Sequence, residues 1–321
     1  MTDGGENSGD AQWVAQSFAA LRSAIGTVII GQDEALRLSF VTLLCSGHSL
    51  YEGVPGVAKT LLVRTLAAAI GVRFGRIQCT PDLMPSDIIG TLVLHGDGEF
   101  RFRPGPLFTD LLLVDEINRA PAKTQAALLE AMQERAATVD STRYSLGDWF
   151  TVLATQNPIE QEGTYPLPEA ELDRFLFKIR IGYPSAEEEV RIVAAHHASA
   201  PALNDPDALL GAAELARARA IVDATLAREE ILHYAVSLVR ATRKHPAIAV
   251  GASPRAALWT LRAAKAIAAL EGRGFVLPED VQAVIRPALR HRVVLEPGVE
   301  VEGMGADDAI DEVMRTVAVP H

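Results

Sequence analysis

Glu52-Gly53-Val54-Pro55-Gly56-Val57-Ala58-Lys59-Thr60 joins an apolar segment ending near Leu50-Tyr51 to a helical pattern. A glycine-containing turn between a strand and a helix surrounds phosphate with backbone N–H groups at the positive end of the helix. A following lysine reaches the β and γ phosphates, and the next hydroxyl meets Mg²⁺. The binding set read from this loop is Gly53, Val54, Pro55, Gly56, Val57, Ala58, Lys59, Thr60 and Leu61. Ala58 stands where such loops usually carry glycine, so a methyl group is added where backbone must approach phosphate closely. Binding is expected to survive it. The loop alone also describes an ordinary strand-turn-helix junction.

Two further segments carry the argument forward. Leu111-Leu112-Leu113-Val114-Asp115-Glu116 reads as a buried parallel strand ending in two carboxylates. In a nucleotide site Asp115 holds the water shell of Mg²⁺ and Glu116 polarises the water that attacks the γ-phosphate. Thr151 to Pro158 is a second apolar strand, and it delivers Asn157 to the carboxyl edge of the sheet, where ligands of open α/β sheets gather. Asn157 is suited to orienting the attacking water, although Asn before Pro158 is also a common turn residue.

Together these residues resemble the AAA+ ATPases, and within them the MoxR family of the helix-2-insert branch. The resemblance extends from Ile30-Gly31-Gln32-Asp33 through the phosphate loop to Pro81–Asp87 and Phe102–Leu107. It continues in Asp115-Glu116-Ile117-Asn118-Arg119-Ala120, Ala154–Pro158 and Glu169–Phe175. It implies an α/β fold: a P-loop core with a central parallel sheet, followed by a small all-α lid domain. It assigns Lys59 and Thr60 to Walker A, Asp115 and Glu116 to Walker B, and Asn157 to sensor 1. Thr60 and Asp115 then hold Mg²⁺, and Ile30-Gly31 form the adenine-side turn.

Arg174 is similar to the arginine finger that enters a neighbouring subunit's ATP, though by itself it also reads as a surface arginine paired with Asp173 or Glu171. Arg255 resembles sensor 2, in its own subunit or a neighbour's, and Ser253-Pro254 before it reads as a helix start. The region 87–111 resembles the helix-2 insert lining an axial pore, and 137–148 the hairpin before sensor 1. The resemblance further implies ATP and Mg²⁺ as cofactors, hydrolysis of ATP, self-assembly into a hexameric ring, and chaperone-like remodelling or maturation of a client. A von Willebrand factor A domain protein is one implied client or adaptor.

Composition agrees with such an enzyme. A chain of 321 residues holds two domains. The expected division is a flexible tail over 1–10, the core over 11–184, a linker over 185–208 and the lid over 209–321. A formal charge of −11 argues against gripping nucleic-acid phosphates, and the basic clusters at 240–245 and 286–292 read as solvated helix faces. The two cysteines, Cys45 and Cys79, read as buried reduced thiols. Adjacent His196 and His197 point to different sides of a helix, so no structural metal is expected. No stretch reads as a membrane span or signal peptide, which suggests the cytoplasm. Leu258, Leu261, Ala264, Ile267 and Ala268 fall on one helical face of a lid expected to rotate over bound nucleotide. Three alternatives stay open: a nucleotide-dependent regulatory switch, a magnesium-chelatase-like motor subunit, and a nucleic-acid motor.

Overall fold

The computed structural model describes residues 4–54, 56–157, 164–197 and 208–320. Helices α1 (Gly4–Gly26) and α2 (Asp33–Leu44) precede strand β1 (Ser49–Glu52), and α3 (Lys59–Ala69) leads to β2 (Phe74–Gln78). The short α4 (Pro85–Ile89) opens a hairpin of β3 (Gly90–Leu94) and β4 (Phe100–Pro104). Then come β5 (Leu111–Asp115), α5 (Ala122–Glu134) and a second hairpin, β6 (Ala136–Val139) with β7 (Thr142–Ser145). Strand β8 (Thr151–Gln156), α6 (Glu169–Leu172) and β9 (Phe177–Arg180) complete the α/β part. The helical part holds α7 (Ala186–His197), α8 (Ala212–Ala224), α9 (Glu229–Thr242), β10 (Ile248–Val250) and α10 (Pro254–Leu270). It ends with α11 (Pro278–Leu289), β11 (Val294–Leu295), α12 (Pro297–Val301) and α13 (Ala306–Thr316).

The five core strands lie in the order β2-β5-β8-β1-β9 and every pair is parallel. Strand β5 is buried along its whole length and β8 along all but its last residue, because helices cover both faces, and this is why both read as unbroken apolar runs. One apolar cluster joins Leu113 and Leu153 of the sheet to Leu36 of α2, Leu66 of α3 and Ile267 and Ile285 of the lid, while Leu112, Val114 and Val152 pack in a second cluster on the other face. The two hairpins expected from the sequence are present, and Phe102 of one stacks on Tyr144 of the other at 4.2 Å.

Some expectations are corrected. The stretch 1–10 is not a tail throughout: α1 starts at Gly4, and Asp10 pairs with Arg217 at 2.7 Å. Most of the described part of the expected 185–208 linker is helical, in α7; its residues 198–207 lie outside the described residues. Along α10, Ala264, Ile267 and Ala268 are buried as expected, but Leu258, near the start of the helix, is 70% exposed. The 286–292 cluster is not a solvated face. Arg290 is largely covered beside Asp307, and Arg292 is buried against Asp173 at 2.7 Å. Cys45 and Cys79 are buried, and desolvation pushes both thiols up to about 12.

His48, just before β1, is locked as a neutral ring. The Val152 amide donates to Nδ1 at 2.9 Å, so Nε2 carries the proton and donates to the Met132 carbonyl at 3.1 Å. Burial, with Arg135 nearby, pushes the ring down to about 3. The unfolded chain therefore binds a proton below about 6.5 that the folded chain refuses, and stability falls with pH by about 1.4 kcal/mol per unit for this residue. Between pH 7 and pH 5, urea unfolding of the native protein is expected to lose roughly 2 kcal/mol more than that of His48→Gln. Equal losses would remove His48 from the pH response.

Candidate functional site

The phosphate loop leaves β1 at its carboxyl end. Gly53 is required there by close approach: a Cβ would lie 2.3 Å from the carbonyl oxygen of Ile181, just past β9. Gly56 and Ala58 both turn through the left-handed region, at φ +85° and +59°, which aims successive N–H groups into one concavity at the start of α3. Ala58 thus supports the turn but with backbone strain that glycine would not have. Pro55 lies outside the described residues. Lys59 reaches across the loop and donates from Nζ to the Gly53 carbonyl at 2.7 Å. Its half-burial lowers its pKa, and the Asp115 and Glu116 carboxylates oppose that.

Strands β5 and β8 bring the acidic groups to the same edge. Asp115 is buried at the last position of β5 and accepts from the Thr60 hydroxyl at 3.3 Å and the Thr155 hydroxyl at 3.3 Å. Thr155 in turn accepts the Glu116 amide at 2.9 Å, so one hydroxyl ties both carboxylate residues to β8. Glu116 sits at φ +57°, a turn that carries its side chain off the strand axis, and its carboxylate meets Arg119 at 2.9 Å. Asn157 is buried one residue beyond β8. Ile30 and Gly31 follow α1, with Gly31 at φ +80° against Glu188 of α7.

A hydroxyl and a carboxylate within hydrogen-bond reach of one another are hard oxygen donors suited to Mg²⁺, and the amide-lined turn with Lys59 is suited to a polyphosphate. The residues present therefore fit both groups: Thr60 and Asp115 toward the cation, and the loop toward the phosphates.

Two residues at this edge were not anticipated from the sequence. Arg76 of β2 pairs with Asp115 at 2.8 Å and balances its charge, and Thr155 is the bridging hydroxyl just described. Arg76, on a strand that pairs with β5 in parallel, carried no signal in the sequence that would place it beside Asp115.

Arg174 and Arg255 do not join this group. Both line a cavity of about 350 Å³ with His48, Arg135, Trp259 and Arg262. His48 precedes β1, and Arg174 precedes β9, whose neighbour Leu176 donates to the His48 carbonyl at 2.6 Å. In a parallel sheet that is the opposite edge from the phosphate loop, about 16 Å away at ~3.3 Å per residue along β1. The turn bearing Arg174 is fixed by the lid: Arg292 binds the Asp173 carboxylate at 2.7 Å and its carbonyl at 2.9 Å, while His291 meets the Phe175 carbonyl at 3.0 Å. Ser253 does precede α10, but its hydroxyl turns to Asp173 at 3.2 Å rather than capping the helix.

A parallel five-stranded core with a phosphate loop, two acidic residues and a polar residue on adjoining strand ends, followed by a helical lid, defines a P-loop ATPase. Residues 48–177 match the ATPase family associated with various cellular activities (AAA), and 240–313 match the AAA lid domain. The chain is 45% identical to Chaperone MoxR1 of Mycobacterium tuberculosis, over 98% of this chain and 86% of that one, and 34% identical to Protein MoxR of Paracoccus denitrificans, over 98% and 99%. A crystal structure from Cytophaga hutchinsonii superposes with a TM-score of 0.90 at 39% identity, covering 97% of each chain. The chain belongs to the MoxR family of AAA+ ATPases.

Because Ala58 holds a left-handed conformation that costs an L side chain about 1–2 kcal/mol, Ala58→Gly is expected to stabilise the protein by about 1 kcal/mol. ATP affinity should be retained or raised. Paired urea unfolding and nucleotide titration check this, and a destabilised Ala58→Gly would contradict the strain.

Proposed function

We propose that this protein assembles into a closed ring of six copies, hydrolyses ATP with Mg²⁺ in sites shared between neighbours, and spends the resulting motion on remodelling or maturing a client protein. The observation that carries the reading is the separation of the two halves of the chemistry. The phosphate loop, Asp115, Glu116 and Asn157 occupy one edge of the sheet, while Arg174 and Arg255 occupy the other. A guanidinium on the far edge cannot serve its own subunit's nucleotide, but a head-to-tail neighbour presents it directly, and such heterologous contacts close into rings. In this reading both arginines, Arg255 included, act in trans.

Within each shared site the loop amides and Lys59 bind the phosphates, and Thr60 and Asp115 would hold a cation that, when bound, would supply charge neutralisation. Arg119 parks the Glu116 carboxylate. On release from it, Glu116 takes the proton of the attacking water while Asn157 orients that water. Arg174 and Arg255 offset the charge that grows on the phosphoryl oxygens. Asp173 couples this to shape, since it is shared by Arg292, Ser253 and the finger turn, so a finger displaced by hydrolysis pulls on the lid.

The client side of the reading rests on the family: the M. tuberculosis relative is named a chaperone, and a von Willebrand factor A domain protein is the adaptor the resemblance suggests. The two stacked hairpins, with Leu94 and Phe100 exposed on one, are the surfaces offered to a client. Among the described residues no helix is long and apolar enough to cross a membrane, and we place the ring in the cytoplasm.

Glu116→Gln is expected to keep ATP affinity and lose turnover by more than ~10²-fold. Arg174→Ala should keep affinity and lose roughly 10³–10⁵-fold. Mixed in equal amounts, the two variants should recover roughly a quarter of native turnover, because random head-to-tail pairing rebuilds that share of complete sites. No recovery on mixing would refute the shared site.

A further inference from the structure

The helical part carries an apolar groove that none of the described residues fills. It is about 410 Å³, lies between α9 and α10, and is floored by Val239 and walled by Leu232, Val236, Leu258 and Leu261. Leu258 is 70% exposed, though it continues the apolar stripe of α10. Arg240 and Arg243 stand at the rim, exposed, and neither forms an ion pair among the described residues; Arg243 donates from Nε to the Ala252 carbonyl at 2.8 Å.

One other exposed surface matches this in shape and sign. Helix α7 presents Glu187, Val190, Val193 and Ala194 at three- and four-residue spacing, hence on one face, and all four are exposed. Val190 is 68% and Val193 67% exposed. Two adjacent β-branched residues in the open, preceded by an acidic turn, complement an apolar groove rimmed by arginines.

Each of these surfaces lies beside one half of the shared site. The groove reaches Pro254, the residue before Arg255. The start of α7 rests on the adenine-side turn, where a Cβ on Gly31 would lie 2.8 Å from the Glu188 carboxyl group. A subunit that delivers Arg255 to its neighbour's phosphates therefore lays its α9/α10 groove along the base side of that same nucleotide, where the neighbour's α7 stands. We propose that α7 of one subunit docks into the α9/α10 groove of the next, with Val190 and Val193 covered by Leu258 and Leu261, and Glu187 facing Arg243. This rests on the shared-site ring argued above and goes beyond it, in naming the surface that holds the lid of one copy to the core of another. It makes nucleotide state and ring cohesion depend on one helix, because α7 touches the turn that senses the base.

The test is sedimentation of the full chain in ATP and Mg²⁺ across a concentration series, in a Glu116→Gln background that retains nucleotide. Arg243→Glu should raise the concentration for half-assembly about tenfold, and adding Glu187→Arg to it should restore most of that loss. Leu258→Asp, far from the phosphates on an exposed position, should raise it by at least as much, with unchanged circular dichroism and unchanged ATP affinity of the monomer. If native protein assembles but Arg243→Glu and Leu258→Asp assemble equally well, the groove is not the contact and the ring reading stands without it. If native protein stays monomeric at every concentration with ATP bound, both readings fall.

Discussion

Five strands running in one direction set the terms for everything else in this molecule. Parallel pairing collects every strand's carboxyl end on one edge and every amino end on the other, and the chain divides its chemistry accordingly. The phosphate loop follows β1, the acidic pair follows β5 and Asn157 follows β8, so three adjoining strands build one half-site. The turn before β9 and the start of α10 bear the arginines on the opposite edge. In the proposed ring a site made of both halves closes between molecules, and strand polarity sets which halves meet.

The second constraint is the buried pairing of Asp173 with Arg292. A guanidinium this deep needs all of its donors answered, and Arg292 finds the Asp173 carboxylate and the carbonyls of Asp173, Phe175, Leu176 and Ala288. Breaking such a pair from one side leaves a charge without compensation, commonly about 3–5 kcal/mol. Its position matters more than its strength. It fastens the arginine-bearing turn to the lid, and Ser253 and Arg255 share the same carboxylate. The lid is therefore part of the arginine edge.

Much of this was legible in the residues. The strands at 111–115 and 151–156 read correctly because burial on both faces removes alternation and leaves a continuous apolar run. The strand-turn-helix context of the phosphate loop was legible too, with β1 ending at Glu52 and α3 starting at Lys59. What was not legible depended on partners distant in sequence. Arg292 sits in an arginine-rich helical pattern that looks solvated until β9 and α6 are placed beside it. Arg76 lies on an edge strand that pairs with β5 in the register Gln78 with Asp115, which is known only once the strand order is. Leu258 continues an apolar period correctly, but periodicity cannot say whether the partner for that face lies in the same chain.

The central claim is that one molecule holds only half of its active site. ATP turnover measured against protein concentration, with Mg²⁺ in excess, addresses it directly. Specific activity should be negligible at high dilution and rise steeply, more than in proportion to assembly of a simple pair, as rings form. Specific activity that is substantial and independent of concentration down to conditions where the protein is monomeric would mean that a single chain completes its own site, and would contradict the account.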